Sequence, residues 1–142
     1  MTFMVHFSVK GDPVGKGRPR FRRAGNFVQT YTDAKTAGWE KEVAQTAARV
    51  MKDQEPLKTP VAVYLYFGLG IPKSYSKKRT TACLEGLEAH TKRPDLDNLC
   101  KSVLDGMNGV VFEDDNQIVS LHAKKVWSTD PGVEVLVKEE LE

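Results

Sequence analysis

Apolar and polar positions alternate at the start of the chain, where Phe3, Val5, Phe7 and Val9 are separated by Met4, His6 and Ser8. A period of two puts one set on one face of an extended chain, so the segment reads as a strand buried on one side. Gly11 to Gly25 mixes glycines, prolines and basic residues without a period, which predicts a loop displayed to solvent. Thr32 and Asp33 are both capping residues, and Trp39, Val43, Ala47 and Val50 follow at helical spacing, predicting a helix to about Met51. Pro56 and Pro60 bracket a turn before Val61 to about Leu69, an uncharged run rich in β-formers that reads as a buried strand ended by Gly70 and Pro72. Ser76 can cap a second helix through Thr80, Cys83, Leu84 and Leu87. A third helix is predicted from Leu96 to Met107, with Leu99, Val103, Leu104 and Met107 on one stripe and a stop at Asn108-Gly109. Val110 to Phe112 is a short apolar stretch, and Gln117 to Trp127 alternates through Val119, Leu121 and Ala123 as a strand. Val133, Val135 and Val137 make a last strand, expected to pair with its neighbour through the turn Asp130-Pro131-Gly132. The order β-α-β-α-α-(β)-β-β predicts an α+β fold, helices packed against a mixed β-sheet.

Neither a repeat nor a linker divides the 142 residues, so a single domain over 1–142 is expected. The longest uncharged stretch, Val61 to Ile71, is about half what a bilayer crossing needs, and no membrane association is expected. The opening MTFMVHFSVK lacks the basic region and cleavage site of a secretory signal, so a cytoplasmic location is expected. Cys83 and Cys100 form neither a CxxC pair nor a His-rich cluster and read as reduced structural thiols. The formal charge of +2 conceals an uneven distribution. Lys10 to Arg23 holds six basic residues against the one acid Asp12, Lys73 to Arg79 is basic again, and the chain ends in Glu139, Glu140 and Glu142. Lys16, Arg18, Arg20, Arg22, Arg23, Lys73, Lys77, Lys78 and Arg93 are therefore candidate contacts to a polyanion such as DNA.

Three acids carry candidate chemistry. Asp95 and Asp97 stand two apart at the entry to the third helix, where a chain still extended points both carboxylates the same way. Asp115, between a short apolar segment and a strand, would complete an oxygen-donor set for Mg²⁺. Each piece has a plain structural reading as well. Asp95 or Asp97 can cap a helix for about 1 kcal/mol, and Asp114-Asp115-Asn116 can be an ordinary turn. Lys101, four residues after Asp97, is either a surface ion-pair partner or a cation for the scissile phosphate, and spacing alone does not separate these.

Together, Arg93-Pro94-Asp95-Leu96-Asp97-Asn98-Leu99-Cys100-Lys101, then Asp105, then Asp114-Asp115-x-Gln117-Ile118 resemble the RusA family of Holliday junction resolvases, whose signature is RPDxDNxxK with a downstream DDxQ(V/I). The resemblance extends to Gly15-Lys16-Gly17-Arg18-Pro19-Arg20-Phe21 followed by Tyr31-Thr32. It implies a RusA-like fold, a homodimer acting on four-way junction DNA, paired symmetric nicks, and Mg²⁺ with Mn²⁺ as a substitute, without an organic cofactor. It also implies Asp95, Asp97 and Asp115 as metal ligands, Lys101 as a lysine needed for cleavage, and Lys125 as a phosphate contact. His122 receives no role. Two rivals stay open: a non-catalytic junction- or DNA-binding dimer, which leaves the acids unexplained, and a metal-dependent transferase or phosphohydrolase. Against the second, Gly15-Lys16-Gly17-Arg18 lacks the spacing of a phosphate-binding GxxxxGK loop.

Overall fold

The computed structural model describes residues 3–140; Glu142 of the acidic end lies outside them. Four strands form a mixed sheet: β1 (Met4–Lys10), β4 (Val61–Gly70), β5 (Ile118–Ser128) and β6 (Gly132–Glu139), in the order β1-β6-β4-β5. β2 (Arg20–Ala24) and β3 (Phe27–Tyr31) pair separately, and the helices are α1 (Ala34–Met51), α2 (Lys77–Leu84) and α3 (Leu96–Met107). The α+β fold expected from the pattern is the one formed. No helix among the described residues is long and apolar enough to cross a membrane.

Helices α1 and α3 cover one face of the sheet. Val5, Phe7 and Val9 of β1, Val63, Leu65 and Phe67 of β4, and Val133, Val135 and Val137 of β6 join Trp39, Val43, Leu99, Val103 and Met107 in one core. Asp33 caps α1, its carboxylate accepting from Thr36 N–H at 3.1 Å. The buried stripe of α1 runs Thr36, Trp39, Val43, Ala47, Met51, and Val50, expected on it, is 42% exposed, because steps of four carry the stripe to Met51 instead. α2 stops at Leu84, short of the expected Leu87, where Gly86 takes a positive φ of 79° and turns the chain away. The uncharged β4 is buried throughout its helix side; on its other side Ala62 is buried but Tyr66 is half exposed.

Two strand expectations are corrected. β6 does not pair with β5: β4 and β5 run parallel, joined by a crossover through α2 and α3, and β6 inserts antiparallel between β1 and β4. The Asp130-Pro131-Gly132 turn reverses the chain but passes over the end of β4 first. Glycine permits that passage, since a Cβ at Gly68 would lie 2.9 Å from Ser128 Cβ and one at Gly132 2.6 Å from the Val9 carbonyl oxygen. The loop expected over Gly11–Gly25 is a loop only to Pro19; Arg20 onward is the first strand of a hairpin turning at Gly25, with φ of 62°. Both faces of that hairpin meet solvent, with Phe21 at 66% and Phe27 at 75% exposed, so no alternation betrays it. Of Val110 to Phe112 only Phe112 bridges, to Leu57 and to Asn108, and the stretch is not a strand.

The α1–α3 contact is close at Gly106, where a Cβ would fall 2.8 Å from Val43 Cβ and 2.9 Å from the Glu40 carbonyl oxygen. Gly106→Ala is expected to destabilise the protein by about 1–3 kcal/mol despite alanine's better helix propensity, seen as a lower midpoint in thermal unfolding.

Candidate active site

Asp97, Lys101 and Asp105 recur every four residues along α3, a spacing that keeps them on one helix face. Together with Asp115 they line an open cavity of about 640 Å³ whose remaining wall is Leu96, Cys100 and Leu104 of α3 and Leu121 and Ala123 of β5. Asp97, Lys101 and Asp115, expected from the sequence, are thus brought together.

Asp95 is not. α3 begins at Leu96, so Asp95 is extended (φ −69°, ψ 143°) while Asp97 is already in the first helical turn. A two-residue spacing aligns side chains only along an extended chain, and Asp95 instead lines a neighbouring hollow with Arg18, Arg20 and Arg93. Asp95 makes no side-chain cap bond to α3, so the plain reading of it as a cap is not realised. As the side chains stand, no three carboxylate, imidazole or thiol groups among the described residues are grouped to ligate one ion.

Asp115 is held by its own motif. It opens a single 3-10 turn, Asp115–Gln117, in which the Asp114 N–H donates to Gln117 Oε1 at 2.9 Å. Gln117 Nε2 in turn donates to the carbonyls of Leu57 at 2.8 Å and Thr59 at 2.9 Å, fastening the turn to the segment before β4. The Asp115 carboxyl titrates above the usual carboxylate range, first because it shares a hydrogen bond with the Asp114 carboxyl, then through burial and the negative charges of Asp114 and Asp105, with Lys101 opposing. Crowded carboxylates of this kind are relieved by a cation. The Cys100 thiol in the same wall is pushed up by burial and by Asp97, so it stays protonated and the donors offered are oxygens, which suit a hard divalent cation such as Mg²⁺.

Lys101 is in none of the ion pairs formed among the described residues, and its side chain is exposed beside the cavity. The surface-pair reading, in which it neutralises Asp97, is therefore not realised.

Two lysines expected on DNA have partners in the protein. Lys16 bridges Glu40 of α1 at 2.7 Å and Asp105 of α3 at 3.0 Å. Burial opposes its charge, but the hydrogen bonds it donates to Glu40 and Asp105 outweigh this and hold the ammonium above its usual value. Lys16 N–H also donates to the Asn98 carbonyl at 2.8 Å, and Ser102 Oγ to the Val14 carbonyl at 2.6 Å, which fastens the Gly-rich loop to α3. Lys125 Nζ donates to the carbonyls of Lys92 at 2.7 Å and Pro94 at 2.9 Å, gripping the cis Arg93-Pro94 link just before Asp95. Lys125 thus supports the backbone that presents Asp95, and its ammonium is already occupied by these two carbonyls.

Arg18, Arg20, Arg22, Arg23, Lys73, Lys77, Lys78 and Arg93 are all exposed. Arg22 Nε donates to Gln29 Oε1 at 3.2 Å across the hairpin and its guanidinium lies 5.4 Å from the Tyr31 ring. Asp105 and Gln117 belong to the matched motif, but sequence reasoning assigned neither a role in the site. The signal for Asp105 was its place eight residues beyond Asp97 on the same helix face; for Gln117, an amide three residues after Asp114 at the start of a turn.

Acidic oxygen donors around an open cavity, bordered by basic side chains, can hold a divalent cation against a phosphodiester, which is the chemistry of a metal-assisted nuclease. The chain belongs to the RusA endodeoxyribonuclease family, whose model, Endodeoxyribonuclease RusA, matches residues 10–138. It is also 34% identical over 137 residues to the uncharacterized protein YqaN of Bacillus subtilis (strain 168), a match covering 95% of this chain and 96% of that one.

Proposed function

We propose that this protein is a cytoplasmic, Mg²⁺-dependent, structure-specific endonuclease that resolves Holliday junctions as a homodimer, by paired symmetric nicks during DNA recombination and repair. The observation that carries the reading is the cavity shared by Asp97, Lys101, Asp105 and Asp115, with the Asp115 carboxyl crowded by like charge. Asp95, Asp97 and Asp115 would hold the ion, and Mn²⁺ offers the same preference for oxygen. Bound there, the divalent ion would polarise the phosphoryl group and lower the pKa of an attacking water.

The chain's own residues do the rest. The unpaired ammonium of Lys101 steadies the negative charge that grows on the scissile phosphate during in-line attack. Lys16 holds Asp105, and Gln117 holds the Asp115 turn, so these carboxylates meet the substrate without rearranging. Arg18, Arg20 and Arg93, around the hollow of about 730 Å³ beside Asp95, bind flanking phosphates. The β2–β3 hairpin, a two-stranded ribbon carrying Arg22 and Arg23, has dimensions that enter a major groove. Replacing both Arg22 and Arg23 by alanine is expected to reduce the slope of log affinity against log salt by roughly 1.8, about 0.9 per lost phosphate contact, measured by junction binding at several salt concentrations.

The direct test compares a mobile four-way junction with linear duplex and flap DNA, with and without Mg²⁺. Symmetric Mg²⁺-dependent nicks in the junction are expected. Equal cutting of linear duplex, or cutting that survives chelation, would contradict the proposal.

A further inference from the structure

β2 and β3 pair with each other and join no other strand, so their hairpin is separate from the main sheet. Phe21, Phe27 and Val28 on it are exposed, and apolar side chains left in water add nothing to the core. Large aromatic groups gathered in the open on one small element are a mark of an interaction surface. The register sorts them between two faces. Arg20 pairs with Tyr31, Arg22 with Gln29 and Ala24 with Phe27, while Phe21 pairs with Thr30 and Arg23 with Val28. Side chains alternate along a strand, so one face carries Arg20, Arg22, Phe27 and Tyr31, and the other carries Phe21 and Arg23.

The face with Phe27 is the one joined to the site. Arg20 at its base lines the hollow that also holds Asp95, Arg18 and Arg93. Ala24, and with it Phe27, lies four residues further along the ribbon, about 14 Å or roughly four base steps of a B-form strand. Phe27 stands beside the turn at Gly25, across from the small side chain of Ala24, which leaves its ring 75% exposed. The surrounding charge selects the partner. From Arg18 to Thr32 four side chains are arginines and none is acidic, a surface that attracts phosphates. In a linear duplex each base is covered by its neighbours, whereas at the branch point of a four-way junction the stack is interrupted and a ring can lie against an open base. Aromatic side chains stack on bases whatever the sequence, and apolar wedges enter base steps in proteins that grip the adjoining backbone with basic groups.

We propose that Phe27 is a wedge that stacks on a base opened at the branch point of the junction, with Arg20 and Arg22 on the same face and Arg23 on the other holding the phosphates beside it. Phe27 is then the residue by which the chain prefers a junction to a linear duplex, because only the junction offers an open base. The proposal deepens the junction reading and rests on it. Binding is measured in chelator, without cleavage, so a failed wedge leaves metal-dependent hydrolysis standing, and a protein that does not cut still reports on the wedge.

The experiment titrates the full chain into a four-way junction and into a linear duplex of matching sequence, each carrying 2-aminopurine, an adenine analogue whose fluorescence is quenched by stacking, at the position of the branch point. The wild type is expected to favour the junction and to raise its emission at least about twofold as the base leaves its neighbours. Phe27→Ala is expected to lose that rise and to bind the junction about tenfold more weakly, the scale of one base stacked on an aromatic ring. Its duplex affinity should stay within about twofold and its salt slope unchanged, since no charge is removed. Phe27→Trp, which keeps a flat ring, is expected to retain the junction preference. Phe21→Ala takes an exposed ring from the opposite face of the same hairpin and is expected to behave as the wild type, which separates the wedge from a general weakening of the hairpin; circular dichroism checks folding. Emission unchanged on junction binding overturns the proposal, as does Phe27→Ala with the wild-type preference or Phe21→Ala with an equal loss. A wild type that binds both DNAs equally overturns the junction reading and the wedge with it. Binding to anionic lipid vesicles that depends on Phe27, beside a junction preference that does not, also overturns the proposal and gives the tip to a membrane surface.

Discussion

On the proposed mechanism, Asp97→Asn is expected to lower junction cleavage by at least about a thousandfold while leaving junction affinity within about twofold, because it would remove a ligand charge needed only where the metal and reacting phosphate meet. The substitution is nearly isosteric. Asp97 is exposed and takes part in no ion pair among the described residues, so no structural contact is lost with the charge. The favourable interaction with the first turn of α3 is the only stability at stake, about 0.3–1 kcal/mol. Single-turnover cleavage measured beside equilibrium binding checks both halves. A mutant that cut at the parental rate would remove Asp97 from the chemistry altogether.

Lys101→Met is expected to lower the cleavage rate by about a hundredfold or more, the scale seen when one donor to a developing oxyanion is removed. Methionine keeps most of the aliphatic stem, and no ion pair among the described residues is broken. If Lys101 merely attracted DNA, the variant would bind more weakly and cut bound junction at the normal rate. A transition-state role puts the loss into the rate at saturating junction instead. Lys101→Arg, which keeps the charge, should recover part of it.

Much of the fold was readable because local signals agreed. α3 runs from Leu96 to Met107 as expected, since an apolar stripe, acidic entry and Asn-Gly exit all mark the same ends. The strand order was not readable. An Asp-Pro-Gly turn specifies a reversal, whereas the neighbours of β6 are chosen by distant apolar faces, Val5 and Phe7 on one side and Val63, Leu65 and Phe67 on the other. The β2–β3 hairpin escaped because alternation arises from burying one face, and here neither is buried.

The site divides along similar lines. Asp97, Lys101 and Asp115 were marked by residue type and motif, and they share a cavity. The expected alignment of Asp95 with Asp97 failed on a boundary of one residue: helix geometry begins between them and turns the two carboxylates apart. Asp105 reads as an ordinary solvated acid until Asp115, ten residues on, packs across from it. Lys125 and Lys16 look like free cations in a basic stretch, and only tertiary structure reveals the carbonyls and carboxylates that occupy them.

The most direct measurement is a crystal structure soaked in Mn²⁺, with the ion located by its anomalous signal. A peak is expected at the mouth of the α3 cavity, coordinated by Asp97 and Asp115 with the Asp95 side chain rotated in to join them. A peak elsewhere on a protein that cleaves in the same buffer, or Asp115 left uncoordinated beside a bound ion, would contradict it.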